Sequence, residues 1–347
     1  MASAHDLSLE IDEFISGEGG EFNDLFTRTY NYQSNANPTL KSLRSLQGRE
    51  NIESWEDAVP TPVRLYKSHD LRSFEGTPDY VWESSGTTSD RVSKTPLKNP
   101  RLYQSTIYQS LKHIPYNHEA TLLILMPDSL DWPKSSLSYM YSELRFWMRP
   151  KASINPIHLT DPVGTYKLAY STIVKILKES VEEEYPVEIL TTSYAAVNLM
   201  DYLKGNNLSF KLPLGSFMID TGGYKNRSRS VSREEFVQLA EETLGIPCYS
   251  EYGMSEMSSQ FWYEPESGLY HVPPWVRVKV LDPMTLEEDP DGVVVIYDLA
   301  NLWSSCVLQT EDLGRVHGDG RYFEPLGRAE GAVAKGCSLA AERAMGS

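Results

Sequence analysis

Cysteine is scarce in this sequence, which has only Cys248, Cys306 and Cys337 among its 347 residues. Three scattered cysteines supply neither a disulfide framework nor the paired spacing of a zinc site. Because disulfides persist mainly in oxidising compartments, a chain with so few cysteines is expected in the cytoplasm.

Basic residues are also fewer than acidic ones. The chain has 32 basic and 48 acidic residues, which gives a formal net charge of −16. Nucleic acids and anionic membrane surfaces both attract basic faces, so neither is an expected partner. The acidic N-terminal stretch also lacks the positive and apolar regions of a signal peptide.

No apolar run is long enough to cross a membrane. The longest, Thr121–Pro127, has the length of a buried strand, whereas a membrane-spanning helix needs about 20 residues. The composition is otherwise that of a globular protein, with 40% hydrophobic and 23% charged residues. The length suffices for two or more packed units.

Strand-like and helix-like segments alternate between residues 61 and 260, which predicts an α/β core. The predicted elements are strands at Thr121–Met126, Val187–Leu190 and Gly215–Asp220, and helices at Ser135–Met148, Tyr166–Ser180, Ala195–Leu203 and from Ser232 to Leu244. Residues 1–60 read as a polar helical segment, 261–330 as a small antiparallel β subdomain, and 331–347 as a C-terminal arm.

A loop rich in hydroxyl groups follows the predicted strand end at Tyr80–Trp82. Its residues are Ser84, Ser85, Gly86, Thr87 and Thr88. Glycine and the Ser and Thr hydroxyls disfavour helix and strand. They offer amides and hydroxyls to an outside group, typically a phosphate. The loop lacks the spacing of a Walker motif, and a surface turn is the alternative.

The segment from Tyr252 to Glu256 combines an aromatic ring with a carboxylate. Tyr252, beside Gly253, can lay its ring on a flat heterocycle. Glu256 suits Mg²⁺, which binds through one or two carboxylates together with phosphate oxygens. The alternative is a strand end followed by a surface glutamate.

Two later residues suit a ribose and a phosphate. Asp312 precedes a predicted Leu-Gly turn, and its carboxylate can accept hydrogen bonds from both ribose hydroxyls. Arg328 follows Gly327 and can bring its fork of donors to a phosphate or ribose oxygen. An ordinary turn residue and a surface ion pair are the alternatives.

The order of these motifs resembles that of the adenylate-forming enzymes. The hydroxyl-rich loop, Gly222-Gly223, Y-G-M-S-E, T-E-D-L-G and L-G-R follow one another between about residues 80 and 337. Within that superfamily the chain most resembles the LuxE-type acyl-protein synthetases, because it stops soon after L-G-R and carries a G-C-S-L segment around Cys337. It is also similar to phenylacetate-CoA ligases in the segment H-V-P-P-W-V-R-V-K-V-L-D-P.

The resemblance implies a fold and a set of ligands. The expected fold is the α/β large domain of an adenylate-forming enzyme with its small antiparallel β subdomain, without a C-terminal lid domain. ATP and Mg²⁺ are the implied cofactors. The implied nucleotide-binding residues are Ser84, Ser85, Gly86, Thr87, Thr88, Gly222, Gly223, Tyr252, Gly253, Ser255, Asp312 and Arg328, with Glu256 as the metal ligand and a catalytic residue.

The resemblance also implies a reaction. A carboxylic acid, expected to be a fatty acid, becomes an acyl-adenylate and is then transferred to Cys337 as a thioester for a partner such as an acyl-CoA reductase-like enzyme. Lys335 lies two positions before Cys337, and a nearby cation favours the thiolate. Two alternatives stay open: a ligase that passes the acyl group to coenzyme A or a carrier protein, and a non-catalytic nucleotide-binding module.

The sequence departs from the superfamily pattern in the hydroxyl-rich loop. The usual loop continues with Gly-x-Pro-Lys, but here Ser89 takes the place of the glycine and Lys94 comes two positions late. We therefore expect the backbone cradle to remain and do not expect a lysine at the phosphates.

Overall fold

The computed structural model describes residues 3–84, 92–160, 166–222, 231–282, 285 and 287–328. The helices in this part of the chain are α1 (Ala4–Ser16), α2 (Phe22–Ala36), α3 (Pro38–Ser45), α4 (Arg101–Ser110), α5 (Ser136–Met148), α6 (Tyr170–Glu183), α7 (Ser193–Gly205) and α8 (Arg233–Leu244). The strands are β1 (Thr61–Pro62), β2 (Tyr80–Glu83), β3 (Lys94–Leu97), β4 (Thr121–Ile124), β5 (Ala152–Ile154), β6 (Ile157–Leu159), β7 (Tyr166–Leu168), β8 (Val187–Thr192), β9 (Phe217–Thr221), β10 (Cys248–Tyr252), β11 (Phe261–Glu264), β12 (Leu269–His271), β13 (Val276–Leu281), β14 (Gly292–Asp298), β15 (Val307–His317) and β16 (Tyr322–Arg328).

The chain divides into two compact units. The first comprises Met1–Gln109, Met254–Phe261 and Leu269–Ser347, and the second comprises Ser110–Gly253 and Trp262–Gly268. The chain thus leaves the first unit, builds most of the second, and returns to the first in the middle of the Y-G-M-S-E segment.

The second unit is built on a parallel sheet with the strand order β10-β9-β8-β4-β5. Its central strands β4, β8 and β9 are buried at nearly every position, as expected when helices cover both faces of a sheet. Residues Ile189, Leu199 and Phe236 belong to the core formed by the strands and by helices α6, α7 and α8. This arrangement confirms the predicted α/β class.

The first unit contains an antiparallel sheet with the strand order β13-β14-β15-β16-β12, and β1 pairs with β15 in parallel. Strand β13 alternates between buried and half-buried positions, whereas β14 is buried at every position. The valines at 276, 278 and 280 are the buried positions of β13, and Arg277 and Lys279 lie on its other, partly open face.

Helix α2 is attached to the β14–β15 loop by buried polar groups. The amide of Gln33 donates to the carbonyls of Asn301 and Leu302, and its oxygen accepts from the backbone N–H of Cys306. Arg44 is fully buried, with its guanidinium 3.6 Å from the centroid of the Tyr30 ring. A buried cation needs such partners because burial alone disfavours its charged form.

One predicted helix begins later than expected. Residues Tyr166–Leu168 form β7, which pairs with β6 in a two-stranded hairpin, and the helix begins only at Tyr170. The prediction of a helix from Tyr166 was wrong because hairpin pairing overrode the helical spacing of the apolar residues. In the described part of the chain, no helix combines the length and apolarity needed to span a bilayer.

A buried carboxyl group lies near the start of β8. Glu188 is 0% exposed, and its Oε1 accepts from the Asn117 backbone N–H at 2.5 Å. Within the described residues, its Oε2 has no hydrogen-bond partner. Burial raises the pKa of Glu188 to about 7.

We expect Glu188→Gln to stabilise the protein in a pH-dependent way. Between pH 4.5 and about 7 the folded protein keeps a proton that the unfolded chain has released, so its stability falls as the pH rises. The neutral amide removes this effect, and the variant should gain up to about 3 kcal/mol at pH 8 and almost nothing at pH 4.5. Urea unfolding at the two pH values measures the difference. The exposed Glu266, changed to Gln, serves as the control. An equal gain at both pH values would contradict the protonated state of Glu188.

Candidate functional site

The hydroxyl-rich loop connects two paired strands. Strands β2 and β3 form an antiparallel hairpin in which Glu83 lies opposite Lys94. The Ser84 N–H donates to the Ser93 carbonyl at 3.1 Å, and the Ser93 N–H donates to Ser84 Oγ at 3.0 Å. These bonds close the base of the loop, and the predicted strand before it is confirmed. The predicted phosphate-binding residues Ser85, Gly86, Thr87 and Thr88 lie outside the described residues.

Two candidate nucleotide-binding glycines follow neighbouring parallel strands of the second unit. Gly222 comes after β9 and Gly253 after β10. The Gly222 N–H donates to the carbonyl of Glu251 at 3.4 Å, which ties the two strand ends together. Gly222 is exposed, and Tyr252 is half-buried at the end of β10. Backbone groups at the carboxyl ends of parallel strands are where α/β proteins bind ligands. Gly223 lies outside the described residues.

Glu256, the candidate metal ligand, is only 7% exposed in the first unit. The hydroxyl of Ser255 donates to its Oε2 at 2.8 Å. Its backbone carbonyl accepts from the side-chain amide of Asn301 at 2.8 Å. Burial raises the pKa of the Tyr66 hydroxyl, and the negative charge of Glu256 contributes a smaller part in the same direction.

Asp298, at the end of β14, holds the segment that follows Glu256. Its carboxylate accepts from the Ser258 backbone N–H at 2.9 Å and from the Ser259 hydroxyl at 2.7 Å. Asn301 adds a bond, because its Oδ1 accepts from the Ser258 hydroxyl at 2.9 Å. Burial raises the pKa of Asp298 to about 6. Sequence reasoning missed both Asp298 and Asn301, although polar residues directly after an apolar strand were a usable signal.

Asp312 and Arg328 are cross-strand neighbours in the first unit. They lie opposite each other on β15 and β16, and Arg328 Nε lies 3.5 Å from Asp312 Oδ1. The structure thus brings together two residues that the sequence nominated separately for ribose and phosphate. Thr310 supports this pair, because its hydroxyl accepts from the Asp312 N–H at 3.1 Å and donates to the Val294 carbonyl at 3.0 Å.

The predicted turn after Asp312 was wrong. Leu313 and Gly314 lie inside the continuous strand β15, with a shift of register between them. Glycine is needed at 314 because a Cβ there would lie 2.3 Å from the Phe323 ring and 2.8 Å from Val294. The chain does not change direction at this glycine. Close packing beneath β15 explains why a residue without a side chain is needed there.

The described residues contain no cluster of three or more His, Cys, Asp or Glu side chains that could hold a metal ion by themselves. A single buried carboxylate such as Glu256 nevertheless fits Mg²⁺. This ion keeps several waters and commonly binds through one or two carboxylates plus phosphate oxygens of a substrate.

The two described cysteines are poor nucleophiles. Cys248 is 5% exposed and Cys306 is 0% exposed. Burial raises the pKa of each thiol to about 12, so neither provides much of the reactive thiolate near neutral pH. Both cysteines therefore lie in the core. The third cysteine, Cys337, lies outside the described residues.

Comparison with known proteins points to one family. The model of the LuxE family, described as acyl-protein synthetase, matches residues 50–346. The long-chain-fatty-acid–luciferin-component ligase of Aliivibrio fischeri is 24% identical over 310 residues, which cover 84% of this chain and 79% of that protein.

Solved structures with a similar fold are adenylate-forming ligases. ATP-bound MatB from Rhodopseudomonas palustris has a TM-score of 0.50 and 16% identity, and the match covers 73% of this chain and 49% of MatB. An open conformation of 2-hydroxyisobutyryl-CoA ligase, in complex with 2-HIB-AMP and CoA, has a TM-score of 0.55 and 15% identity, with 94% and 70% of the two chains covered. The chain spans about half the length of MatB. At these identities the likeness confirms the predicted adenylate-forming fold and nothing finer.

Proposed function

Because the chain belongs to the LuxE family of acyl-protein synthetases, we propose that it activates a long-chain fatty acid with ATP and then holds the acyl group on Cys337. The observation that carries this proposal is the family match over residues 50–346. The order of the nucleotide-binding motifs along the same residues supports it.

The first half-reaction forms an acyl-adenylate. A carboxylate oxygen of the acid attacks the α-phosphorus of ATP, a new P–O bond forms, and pyrophosphate leaves with the electrons of the broken bond. Catalysis of this kind rests on positioning and on charge stabilisation, and it requires no nucleophilic side chain. The proposed nucleotide-binding residues are Ser84, Ser85, Gly86, Thr87, Thr88, Gly222, Gly223, Tyr252, Gly253, Ser255, Asp312 and Arg328.

Glu256 is the proposed ligand of Mg²⁺. One of its oxygens accepts from Ser255, and in the described part of the chain no hydrogen bond occupies Oε1. Asn301 fixes the backbone of Glu256, and Asp298 fixes the backbone two residues later. Bound at this carboxylate, Mg²⁺ would neutralise charge on the phosphates.

Asp312 and Arg328 are proposed to bind the ribose and a nearby oxygen of the nucleotide. The carboxylate of Asp312 can accept from two hydroxyls, and the ion pair with Arg328 helps to orient it. Arg328 remains largely exposed, with 69% of its side chain accessible, so its other donors can reach a ligand.

The second half-reaction moves the acyl group to a thiol. The thiolate of Cys337 attacks the carbonyl carbon of the adenylate, a C–S bond forms, the C–O bond to AMP breaks, and AMP leaves. Of the three cysteines, the two that the structure describes are buried with strongly raised pKa values. This burial favours Cys337 as the acceptor. A partner reductase is the proposed recipient of the acyl group.

The fatty acid is inferred from a relative. The Aliivibrio fischeri protein is named for a long-chain fatty acid and a luciferin component, and the present chain covers most of its length. An acid ligase that delivers the acyl group to coenzyme A or to a carrier protein would share the first half-reaction. The second half-reaction distinguishes the two, since only the proposed enzyme becomes covalently acylated.

Exchange of labelled pyrophosphate into ATP tests the proposal. We expect exchange that depends on the acid, with long-chain fatty acids more effective than short-chain or aromatic acids. A rate of pyrophosphate exchange that is the same with and without an acid would contradict acid activation. So would a folded protein that shows no exchange with any acid.

We expect Asp312→Ala to weaken ATP binding by about 10- to 100-fold, because each hydrogen bond to a charged group contributes about 1.5–3 kcal/mol. The increase in melting temperature caused by saturating ATP and Mg²⁺ in the wild type should shrink accordingly. Glu311→Ala is the matched control, because it removes the same charge one position away and Glu311 pairs with Arg64. Equal loss in both variants would contradict a specific role for Asp312.

A further inference from the structure

The β14–β15 loop, residues 299–306, is bound at both ends by one side chain of helix α2. The side-chain amide of Gln33 donates to the carbonyls of Asn301 and Leu302 at 2.9 and 3.1 Å. Its oxygen accepts from the backbone N–H of Cys306 at 3.0 Å. Gln33 is 0% exposed, so water does not compete for these bonds, and the position of the loop depends on this amide.

The middle of the loop is bound by Tyr66 and Ser73. The Ser73 backbone N–H donates to the Trp303 carbonyl at 3.0 Å, and the Ser73 hydroxyl donates to the Ser304 carbonyl at 2.9 Å. The Tyr66 hydroxyl donates to Ser304 Oγ at 3.1 Å and accepts from the Ser305 N–H at 3.2 Å. The loop is therefore fixed by the N-terminal part of the chain, and all the residues involved belong to the first unit.

Asn301 connects this loop to the candidate metal ligand. Its side-chain N–H₂ donates to the carbonyls of Glu256 and Ser305, both at 2.8 Å. Its Oδ1 accepts from the Ser258 hydroxyl at 2.9 Å. Asn301 is 3% exposed, and its amide bonds to the loop and to the backbone of Glu256 at the same time. A shift of the loop must therefore move Glu256 or break these buried bonds.

Gln33 also contacts a buried cation. Arg44 Nη2 donates to Gln33 Oε1 at 3.3 Å, and Arg44 Nη1 donates to the Tyr30 carbonyl and the Ser34 hydroxyl, each at 2.7 Å. All three acceptors are neutral groups. A carboxylate in place of the Gln33 amide would meet this guanidinium at hydrogen-bond distance and form an ion pair with it.

We propose that Gln33 is a positioning residue for Glu256 and that it acts through Asn301. Helix α2 fixes the β14–β15 loop, and the loop fixes the backbone of the Mg²⁺ ligand. This role rests on the proposed function, because it takes Glu256 as the ligand of Mg²⁺. Groups that orient a metal ligand typically contribute about 10- to 100-fold to metal affinity or activity. The family match begins at residue 50, so Gln33 lies outside the segment on which the family assignment depends.

The Gln33→Glu variant separates this role from general stability. An ionised carboxylate has nearly the size of the amide, and its oxygens can accept from Arg44 and from the Cys306 N–H. The ion pair with Arg44 offsets the lost bonds, so the fold should persist. The carboxylate cannot donate to the carbonyls of Asn301 and Leu302, so we expect this end of the loop to move.

Two further variants complete the set. Tyr66→Phe keeps the ring and removes two bonds to the same loop, so it tests the role of the loop even if Gln33→Glu does not fold. Ser34→Ala is the matched control, because Ser34 is the neighbour of Gln33 on α2 and is 1% exposed. The Ser34 hydroxyl bonds to Tyr30 and Arg44, both outside the loop.

Two measurements compare these variants with the wild type. Hydrogen–deuterium exchange of the metal-free proteins reports on the backbone of residues 256–260. Acid-dependent pyrophosphate exchange at saturating ATP gives the Mg²⁺ concentration that supports the half-maximal rate. Melting temperatures, measured in parallel, report general stability.

We expect Gln33→Glu to exchange amide hydrogens faster over residues 256–260 and to need about 10- to 100-fold more Mg²⁺. Its melting temperature should stay close to that of the wild type. Tyr66→Phe should change both measurements in the same direction by a smaller factor. Ser34→Ala should melt at a lower temperature, because Arg44 loses an acceptor, and should keep the wild-type Mg²⁺ requirement.

Three outcomes would overturn this role. If the wild type exchanges pyrophosphate and the folded Gln33→Glu and Tyr66→Phe proteins match it in both measurements, Gln33 does not position Glu256, and the proposed function stands. An equal rise of the Mg²⁺ requirement in Ser34→Ala would assign the effect to the packing of α2 and not to the loop. No pyrophosphate exchange by the folded wild type at any Mg²⁺ concentration would refute the proposed function, and the role of Gln33 with it.

Discussion

Replacement of Cys337 by Ala is expected to abolish a covalent acyl adduct that the wild type forms. After incubation with ATP, Mg²⁺ and a long-chain fatty acid, intact-protein mass spectrometry of the wild type should show a single added acyl group. Hydroxylamine should remove it, because a thioester is cleaved by that nucleophile. The Cys337→Ala protein should show no adduct and should keep acid-dependent pyrophosphate exchange, since the thiol takes no part in the first half-reaction.

Cys248→Ala provides the matched control for this loss. Cys248 is buried and its thiol has a pKa of about 12, so its removal should leave the adduct unchanged in a protein that still folds. An adduct that persists in Cys337→Ala would contradict the assignment of the acceptor. Exchange by the wild type without any adduct would instead favour transfer to coenzyme A or to a carrier protein.

The Glu256→Gln protein is expected to lose pyrophosphate exchange by about 10²- to 10³-fold, which is typical when one group that stabilises transition-state charge is removed. The substitution retains nearly the same volume, and the amide oxygen can still accept from Ser255, so the fold should persist. Exchange rates across a range of Mg²⁺ concentrations measure the effect. A higher Mg²⁺ requirement should accompany the lower rate, because the carboxylate charge is lost from the metal site.

The exposed Glu266, changed to Gln, controls for the loss of one negative charge from the protein. It should exchange at the wild-type rate with the same Mg²⁺ requirement. If Glu256→Gln also exchanged at the wild-type rate, the metal-ligand assignment would be wrong.

The fold class and several strand ends were predictable from the sequence because they depend on local patterns. The apolar run at Thr121–Ile124 forms a short strand that is buried at every position, so apolar residues mark it directly. The N-cap at Ser232 was equally readable, since its hydroxyl accepts from the Glu235 N–H.

Other features were not readable because they depend on contacts between distant residues. Gly314 looked like a turn residue, and only the closeness of Phe323 and Val294 shows that packing requires it. The ion pair between Asp312 and Arg328 follows from strand pairing across the bulge, which no local pattern fixes. Asn301 reaches the backbone of Glu256 from 45 positions away, so its role became visible only in three dimensions.

Three buried carboxyl groups make the stability of the folded protein depend on pH. Glu188, Glu251 and Asp298 are all buried carboxyl groups whose pKa values burial raises, to about 7, 7 and 6 respectively. Each holds a proton in the folded state that the unfolded chain releases at lower pH, so all three reduce stability as the pH rises towards 7.

The fate of oxygen atoms from the acid tests the central claim most directly. A fatty acid labelled with ¹⁸O in its carboxylate is incubated with the wild type, ATP and Mg²⁺, and the products are analysed by mass spectrometry. Attack of the carboxylate on the α-phosphorus predicts AMP that carries one ¹⁸O atom, because the later attack on the carbonyl carbon leaves the bridging oxygen on AMP. Unlabelled AMP, or ADP with labelled inorganic phosphate, would contradict activation through an acyl-adenylate.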